Sequence, residues 1–349
     1  MSKILQNYFK VIKRFIPKPK HGSSVGLDIG VNSCKMVEIC KEGNSYKILG
    51  WAVQPVIGGD YAKTIKAVLN KTTTPAENLF TSIYGKGTLI RFIDMPRMSI
   101  DDLRNSFSIE ADKYFPFTQD QIYTDCYILD SQGKSKQMKV MAVAAKKELV
   151  EMRLKMIAGL NYTTDFIGIN PIALANASSE LDSSLTEGKV VAILDMGDSV
   201  SSLTLMVGKT PQFNRDIYIG GRDLTKRIAN ALAISYDEAE QIKCHPGEKQ
   251  KEVQSACESS IANLIQELRV SLDYFSTENS NEITELVLTG GAAMMSGLAD
   301  HIAKQLDINI RRWSQFDSVI VSEKINKDEL SKNFNRLGVA LGLALYQYD

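Results

Sequence analysis

Two copies of one short pattern constrain this chain more than anything in its composition. The apolar run Ser24-Val-Gly-Leu ends in Asp28, turns through Gly30, Asn32 and Ser33, and leads into Lys35-Met-Val-Glu-Ile. Far along the chain, Val190-Val-Ala-Ile-Leu ends in Asp195, turns through Gly197, Asp198 and Ser199, and leads into Ser201-Ser-Leu-Thr-Leu-Met-Val. Each reads as strand, tight turn, strand, because β-forming runs are bounded by Gly, Asp, Asn and Ser. A third run ends in Leu288-Thr-Gly-Gly-Ala-Ala293. One Asp-x-Gly turn at a strand end is commonplace. Two copies, with a Gly-Gly turn after a third strand, predict an α/β fold of two lobes derived from one duplicated unit. A chain of 349 residues is long for one core and fits two lobes.

Composition narrows the classes of function. Hydrophobic residues are 44% and charged residues 23%, ordinary for a globular protein. Formal net charge is zero, so bulk electrostatics point to no nucleic-acid partner. No apolar stretch approaches the ~20 residues of a membrane helix, and residues 1–22 lack the pattern of a signal peptide. The five cysteines form no C-x-x-C pair, and with three histidines a zinc site is not expected. Reduced cysteines in the cytoplasm fit best.

Along the chain, residues 3–16 read as an amphipathic helix, with Ile4, Leu5, Tyr8, Val11, Ile12, Phe15 and Ile16 at helical spacing among Lys3, Lys10, Lys13 and Arg14. Such a helix fits a membrane surface or a partner, or folds onto its own domain. Strands are expected at Val25–Leu27, Lys35–Cys40, Tyr46–Trp51 and Phe80–Tyr84, with a helix over 60–70. Residues of about 86–160 form a separate small α+β unit. Its strand Thr88–Asp94, a helix opened by the capping box Ser99-Ile-Asp-Asp102, strands Tyr123–Leu129 and Gln137–Ala144, and helix Lys146–Ala158 sit between the two Asp-x-Gly turns, as an insertion in the first lobe. The second lobe continues with strand Pro211–Ile219, the turn Gly220-Gly221, helix Asp237–Lys243, a long helix over 252–275, strand Leu286–Leu288, helix Leu298–Gln305 and a final apolar helix Gly338–Tyr346.

The turns suit phosphate. Glycine lets backbone N–H groups approach an anion closely; Asn32 and Ser33 add hydrogen bonds, and Lys35 supplies a point charge for the β- and γ-phosphates. Asp28 and Asp195, facing across a cleft, would repel phosphate and instead hold Mg²⁺, through its waters. The uncharged Gly290-Gly291-Ala292 turn suits a flat base or ribose. Glu240 and Lys243, three apart on one helix face, are candidates for ribose hydroxyls and adenine, or else an ordinary solvated ion pair.

This set resembles the actin-like ATPase superfamily, with Asp28–Lys35 as phosphate-1, Asp195–Ser199 as phosphate-2 and Leu288–Ala293 as the adenosine motif. Closer in, residues of about 24–346 resemble the PilM family of type IV pilus assembly, through Met95-Pro-Arg-Met98, Ile109-Glu-Ala-Asp-Lys-Tyr-Phe-Pro-Phe117, Val143-Ala-Ala-Lys-Lys-Glu148, Ala158-Gly-Leu160, Ile219-Gly-Gly-Arg-Asp-Leu-Thr225 and Leu268-Arg-Val-Ser-Leu-Asp-Tyr-Phe275. The resemblance implies ATP and Mg²⁺ as ligands, with Gly220 and Gly221 among the nucleotide contacts. It implies subdomain 1A over 23–85 and 163–187 with a C-terminal helix over 334–349, the inserted subdomain 1C over 86–162, 2A over 188–226 and 283–333, and 2B over 227–282. Residues 1–22 stand apart as helix and linker. It also implies a partner: the cytoplasmic N-terminal peptide of a PilN-like inner-membrane protein, docked at subdomain 1C. Pilus motor components and self-association are further possibilities. The protein would then be cytoplasmic and held at the inner membrane through that partner. Met95, Pro96, Tyr114 and Phe117 either line the peptide groove or form the core of the insertion. FtsA-like division proteins are the nearest rival, but they carry a membrane-targeting helix beyond the fold, whereas this chain stops at Leu345-Tyr-Gln-Tyr-Asp349. A small-molecule kinase is a more distant alternative.

Vigorous relatives place Glu or Gln before the helix start that is Ile169-Asn-Pro-Ile-Ala-Leu174 here. Asn170 is shorter and cannot act as a base. Asp195 is the remaining catalytic candidate, as a weak positioner of Mg²⁺ or water. The expectation is an ATP-binding scaffold, at most a slow ATPase, with turnover below about 1 s⁻¹.

Overall fold

Strand formation follows the apolar runs. In this computed structural model, which describes residues 22–73, 78–130, 133, 135–279, 282–314 and 318–348, the strands are β1 (Ser24–Ile29), β2 (Ser33–Glu42), β3 (Ser45–Pro55), β4 (Leu79–Ile83), β5 (Thr88–Pro96), β6 (Ile122–Ile128), β7 (Gln137–Lys146), β8 (Phe166–Ile169), β9 (Val190–Met196), β10 (Ser201–Val207), β11 (Thr210–Ile217), β12 (Ile283–Thr289), β13 (Asn309–Arg312) and β14 (Val319–Val321). The amphipathic segment expected over 3–16 lies outside the described residues.

Three sheets result: β14-β3-β2-β1-β4-β8, β11-β10-β9-β12-β13 and β5-β7-β6. Apart from β14, which adds in parallel beside β3 and has no counterpart next to β11, the first two share one topology. In each, three strands joined by short turns pair antiparallel (β1–β2–β3 and β9–β10–β11). In each, two later strands then add in parallel on the other side (β4, β8 and β12, β13). Parallel addition requires a crossover, here supplied by helices. The duplicated turns therefore occupy equivalent places, at the carboxyl ends of β1 and β9, where α/β sheets bind ligands. β5, β6 and β7 form their own antiparallel sheet.

Burial explains the layering. β1 and β9 read almost wholly apolar because both faces of each sheet are covered. The helix Gly338–Leu345 is buried along its whole length, between the first sheet and the helix Asn170–Leu181. Its close approach depends on Gly342, where an added Cβ would lie 1.7 Å from the carbonyl oxygen of Ala173. The second lobe closes on the helix Gln250–Asn279, whose stripe Val253, Cys257, Ile261, Leu264, Leu268, Leu272 and Phe275 enters the core. This helix is longer at both ends than the 252–275 expected from sequence. The small sheet has its own core of Met95, Leu103, Phe107, Phe115, Met138 and Val140, with Tyr114 and Phe117 packed against it. Met95 thus belongs to that core, while Pro96 is exposed.

β8, β13 and β14 were not anticipated. They are three or four residues long, too short for a period to register. Their strand character comes from parallel partners distant in sequence. β13 also carries Arg311, which pairs with Asp182 (2.6 Å) and Glu285 (3.2 Å) and so ties the second sheet to the end of the helix Asn170–Leu181.

Candidate functional site

A cavity of about 490 Å³ opens between the two duplicated sheets, within the size range of small-molecule sites. Asp28, Gly30, Asn32, Ser33 and Lys35 reach it from the first turn, and Asp195, Gly197, Asp198 and Ser199 from the second. Gly221, Glu240, Lys243, Gly290, Gly291 and Ala292 also line it. Of the nucleotide and metal contacts expected from sequence, Gly220 alone stays outside. It supports the second turn from behind: a Cβ there would meet the carbonyl oxygen of Asp198 at 2.3 Å.

The first turn is preorganised by pairing register. Asp28 and Lys35 are opposite each other on β1 and β2, and the Lys35 ammonium lies 3.0 Å from the Asp28 carboxylate. The pair is mostly buried, so neither charge is solvated as it would be at the surface. Across the cleft, burial pushes the Asp195 carboxyl up to about 6, and the negative charge of Asp28 adds to the rise. Two carboxylates that repel in the cavity wall fit a hydrated divalent cation, whose charge would relieve the repulsion.

The two turns are also joined directly. Asn32 Nδ2 donates to Asp198 Oδ1 at 2.5 Å, and Asp198 pairs with Arg222 at 2.7 Å. Arg222 stands at the start of the helix Gly221–Leu232, so one carboxylate links the first lobe's turn to a helix N-terminus in the second.

Also in the cavity wall, Lys243 is 2% exposed. Its ammonium is held by Glu240 (2.7 Å) and Thr225 Oγ1 (2.8 Å). The reading of Glu240 and Lys243 as an ordinary solvated ion pair therefore fails: the lysine is buried against the cavity wall. The Gly-Gly turn is fixed by Asn335, whose carbonyl accepts from Gly290 N–H (2.8 Å) and Thr289 Oγ1 (2.9 Å), and whose Nδ2 donates to the Gly290 carbonyl (3.0 Å). Gly290 has φ of +91°, and a Cβ there would lie 2.5 Å from Asp195 Oδ1. The Gly290 turn thus packs directly against the Asp195 carboxylate.

Sequence reasoning missed several lining residues: Tyr84, Ser202, Asp216, His245 and Arg336. None lies in the three glycine turns singled out from sequence, although Tyr84 opens another, Gly85-Lys86-Gly87. Register could have found two of them, because Ser202 is directly opposite Asp195, and Asp216 directly opposite Ser202. Arg336 carried no signal, since it enters through the connection before the last helix. Asn170, flagged for hydrolysis, does line the cavity, and its Oδ1 accepts from Ser82 Oγ at 2.6 Å.

Two sheets of one topology, closed face to face around a cavity walled by their matching turns, define the actin-like fold. MreB 5 of Spiroplasma citri bound to AMPPNP shares it, with a TM-score of 0.50 at 10% identity over 95% of this chain and 97% of that one. The chain belongs to the PilM family: the family described as type IV pilus assembly protein PilM matches residues 26–348. The solved PilM-PilN type IV pilus biogenesis complex contains a chain with a TM-score of 0.83 and 24% identity, covering 95% of this chain and 100% of that one. The cell division protein FtsA of Enterococcus hirae is 23% identical over 356 residues, which is 84% of this chain and 78% of that protein. Among the described residues, no helix is long and apolar enough to cross a membrane.

Proposed function

We propose that this chain is an ATP-binding scaffold of type IV pilus assembly that holds the cytoplasmic tail of a PilN-like membrane protein and links it to the motor. The observation that carries the nucleotide reading is convergence: three glycine turns far apart in sequence wall one cavity, together with Lys35, Lys243 and the carboxylates of Asp28 and Asp195. In this reading Gly30, Asn32, Ser33, Gly197 and Ser199 hold the phosphates. Asp28 and Asp195 hold Mg²⁺ through water, which would offset phosphate charge. Lys35 turns from Asp28 to the β- and γ-phosphates, and Glu240 and Lys243 take the ribose and base. MreB 5 bound to AMPPNP supports ATP as the ligand.

The partner reading rests on the family and on the PilM-PilN complex. We assign the β5-β7-β6 sheet and its helices, residues 86–162, as the peptide-binding subdomain 1C, and keep the other boundaries except that the segment 318–333, expected in 2A, goes with 1A because β14 pairs with β3 in the first sheet. Attachment at the inner membrane would come through the partner. A pull-down of the full chain on an immobilised PilN-like N-terminal tail, with and without ATP, tests this. Capture by the tail and not by a scrambled peptide is expected. Failure to bind in either nucleotide state would remove the scaffold reading.

A further inference from the structure

The two lobes share a three-strand arrangement, yet they place different residues at matching positions. In the first lobe, register sets Asp28 on β1 opposite Lys35 on β2, and Lys35 opposite Val53 on β3. In the second, it sets Asp195 on β9 opposite Ser202 on β10, and Ser202 opposite Asp216 on β11. Directly opposed residues project from one face of a sheet. One row therefore reads Asp–Lys–Val and the other Asp–Ser–Asp. Asp28, Lys35, Asp195, Ser202 and Asp216 all line the cavity. The first row offers a cation to phosphate. The second offers none and ends in a proton acceptor.

Hydrogen bonding orients the serine. Ser202 is buried, and pairing register places Asp216 directly opposite it on β11. The serine oxygen accepts from Asn214 Nδ2 at 3.1 Å. A hydroxyl has one proton and two lone pairs. With one lone pair taken by Asn214, directing the proton to Asp216 across the strand pair would leave the second lone pair to accept from water. Burial holds the Asp216 carboxyl above its ordinary range, which favours proton uptake. On the first lobe's side, Asn170 cannot take a proton.

We propose that Ser202 and Asp216 form the water-activating side of the cleft, with Ser202 contacting the attacking water and Asp216 acting through it. The proposal rests on the ATP reading above. In the step, the water oxygen bonds to the γ-phosphorus as the bond from that phosphorus to the bridging oxygen breaks, and ADP leaves with the electron pair. The water proton passes to Ser202 Oγ while the Ser202 proton passes to Asp216. Solvent later takes it, and the serine hydroxyl is restored. A two-residue relay in place of a direct carboxylate base fits slow turnover.

The test uses the full chain, Ser202→Ala, Ser202→Thr and Asp216→Asn. Three quantities are read: ATP affinity, single-turnover hydrolysis at saturating ATP, and affinity for ADP with tetrafluoroaluminate, which mimics the phosphoryl group in transfer. Ser202→Ala and Asp216→Asn are expected to lose at least about tenfold in rate and to bind the fluoride complex more weakly, with ATP affinity within about twofold. Ser202→Thr, which keeps the hydroxyl, is expected to retain most of the rate. Unchanged rates and fluoride-complex affinities would overturn the proposal, as would loss of ATP affinity at an unchanged saturating rate, or the absence of hydrolysis by the native chain. Failure of the native chain to bind ATP would instead remove the nucleotide reading, and the proposal with it.

Discussion

Asp195 shows at the residue scale how the site is set against stability. Its folded-state carboxyl is raised from 3.8 to about 6, chiefly by burial and then by Asp28. For an acid with a raised folded value, the native state binds more protons than the unfolded chain between those two values, so stability falls as pH rises through that window. At neutral pH the full penalty is present. Asp195→Asn should therefore raise the thermal midpoint of the ligand-free protein at neutral pH, and the gain should shrink as pH falls towards the ordinary carboxylate range. The same variant should lose the Mg²⁺-dependent part of ATP binding. Thermal unfolding at several pH values checks the first claim; an equal or lower midpoint at neutral pH would contradict it. That Lys35 reaches the cavity was legible from its place after the turn. That it rests against Asp28 was not, because it needs strand register as well as spacing.

At the element scale, the sequence was readable wherever a period or a turn was long enough to register. The strands around the Asp-x-Gly turns, the capping box at Ser99 and the stripe of the helix Gln250–Asn279 carried their own signals. β8, β13 and β14 did not, since a run of three or four residues has no period of its own. The last helix was legible as apolar, but its packing was not. Gly342 lets it sit directly on the helix Asn170–Leu181, with the Ala173 carbonyl where a side chain would be. Backbone cannot yield as a flexible side chain can. Gly342→Ala should therefore cost at least the upper end of the ~1–3 kcal/mol typical of overpacking. Chemical denaturation reads this directly, and a variant as stable as the native chain would show that the helix shifts freely.

Over the whole molecule, duplication explains both the fold and the division of labour within the cleft. Two copies of one sheet bring two equivalent turns face to face, and Asn32, Asp198 and Arg222 join them. Arg311 and Asp182 join the lobes again beside β13. The insertion between the copies adds a separate small sheet, while the cavity is walled by the turns of the duplicated parts. The most direct test is calorimetric titration of ATP with Mg²⁺ into the full chain, Lys35→Ala and Gly290→Val. One saturable site is predicted for the native chain. Affinity should fall at least about tenfold on losing the Lys35 charge, a change of ~1.4 kcal/mol, and more on placing a side chain against Asp195. No saturation by the native chain, or equal binding by all three proteins, would contradict an ATP site between the lobes.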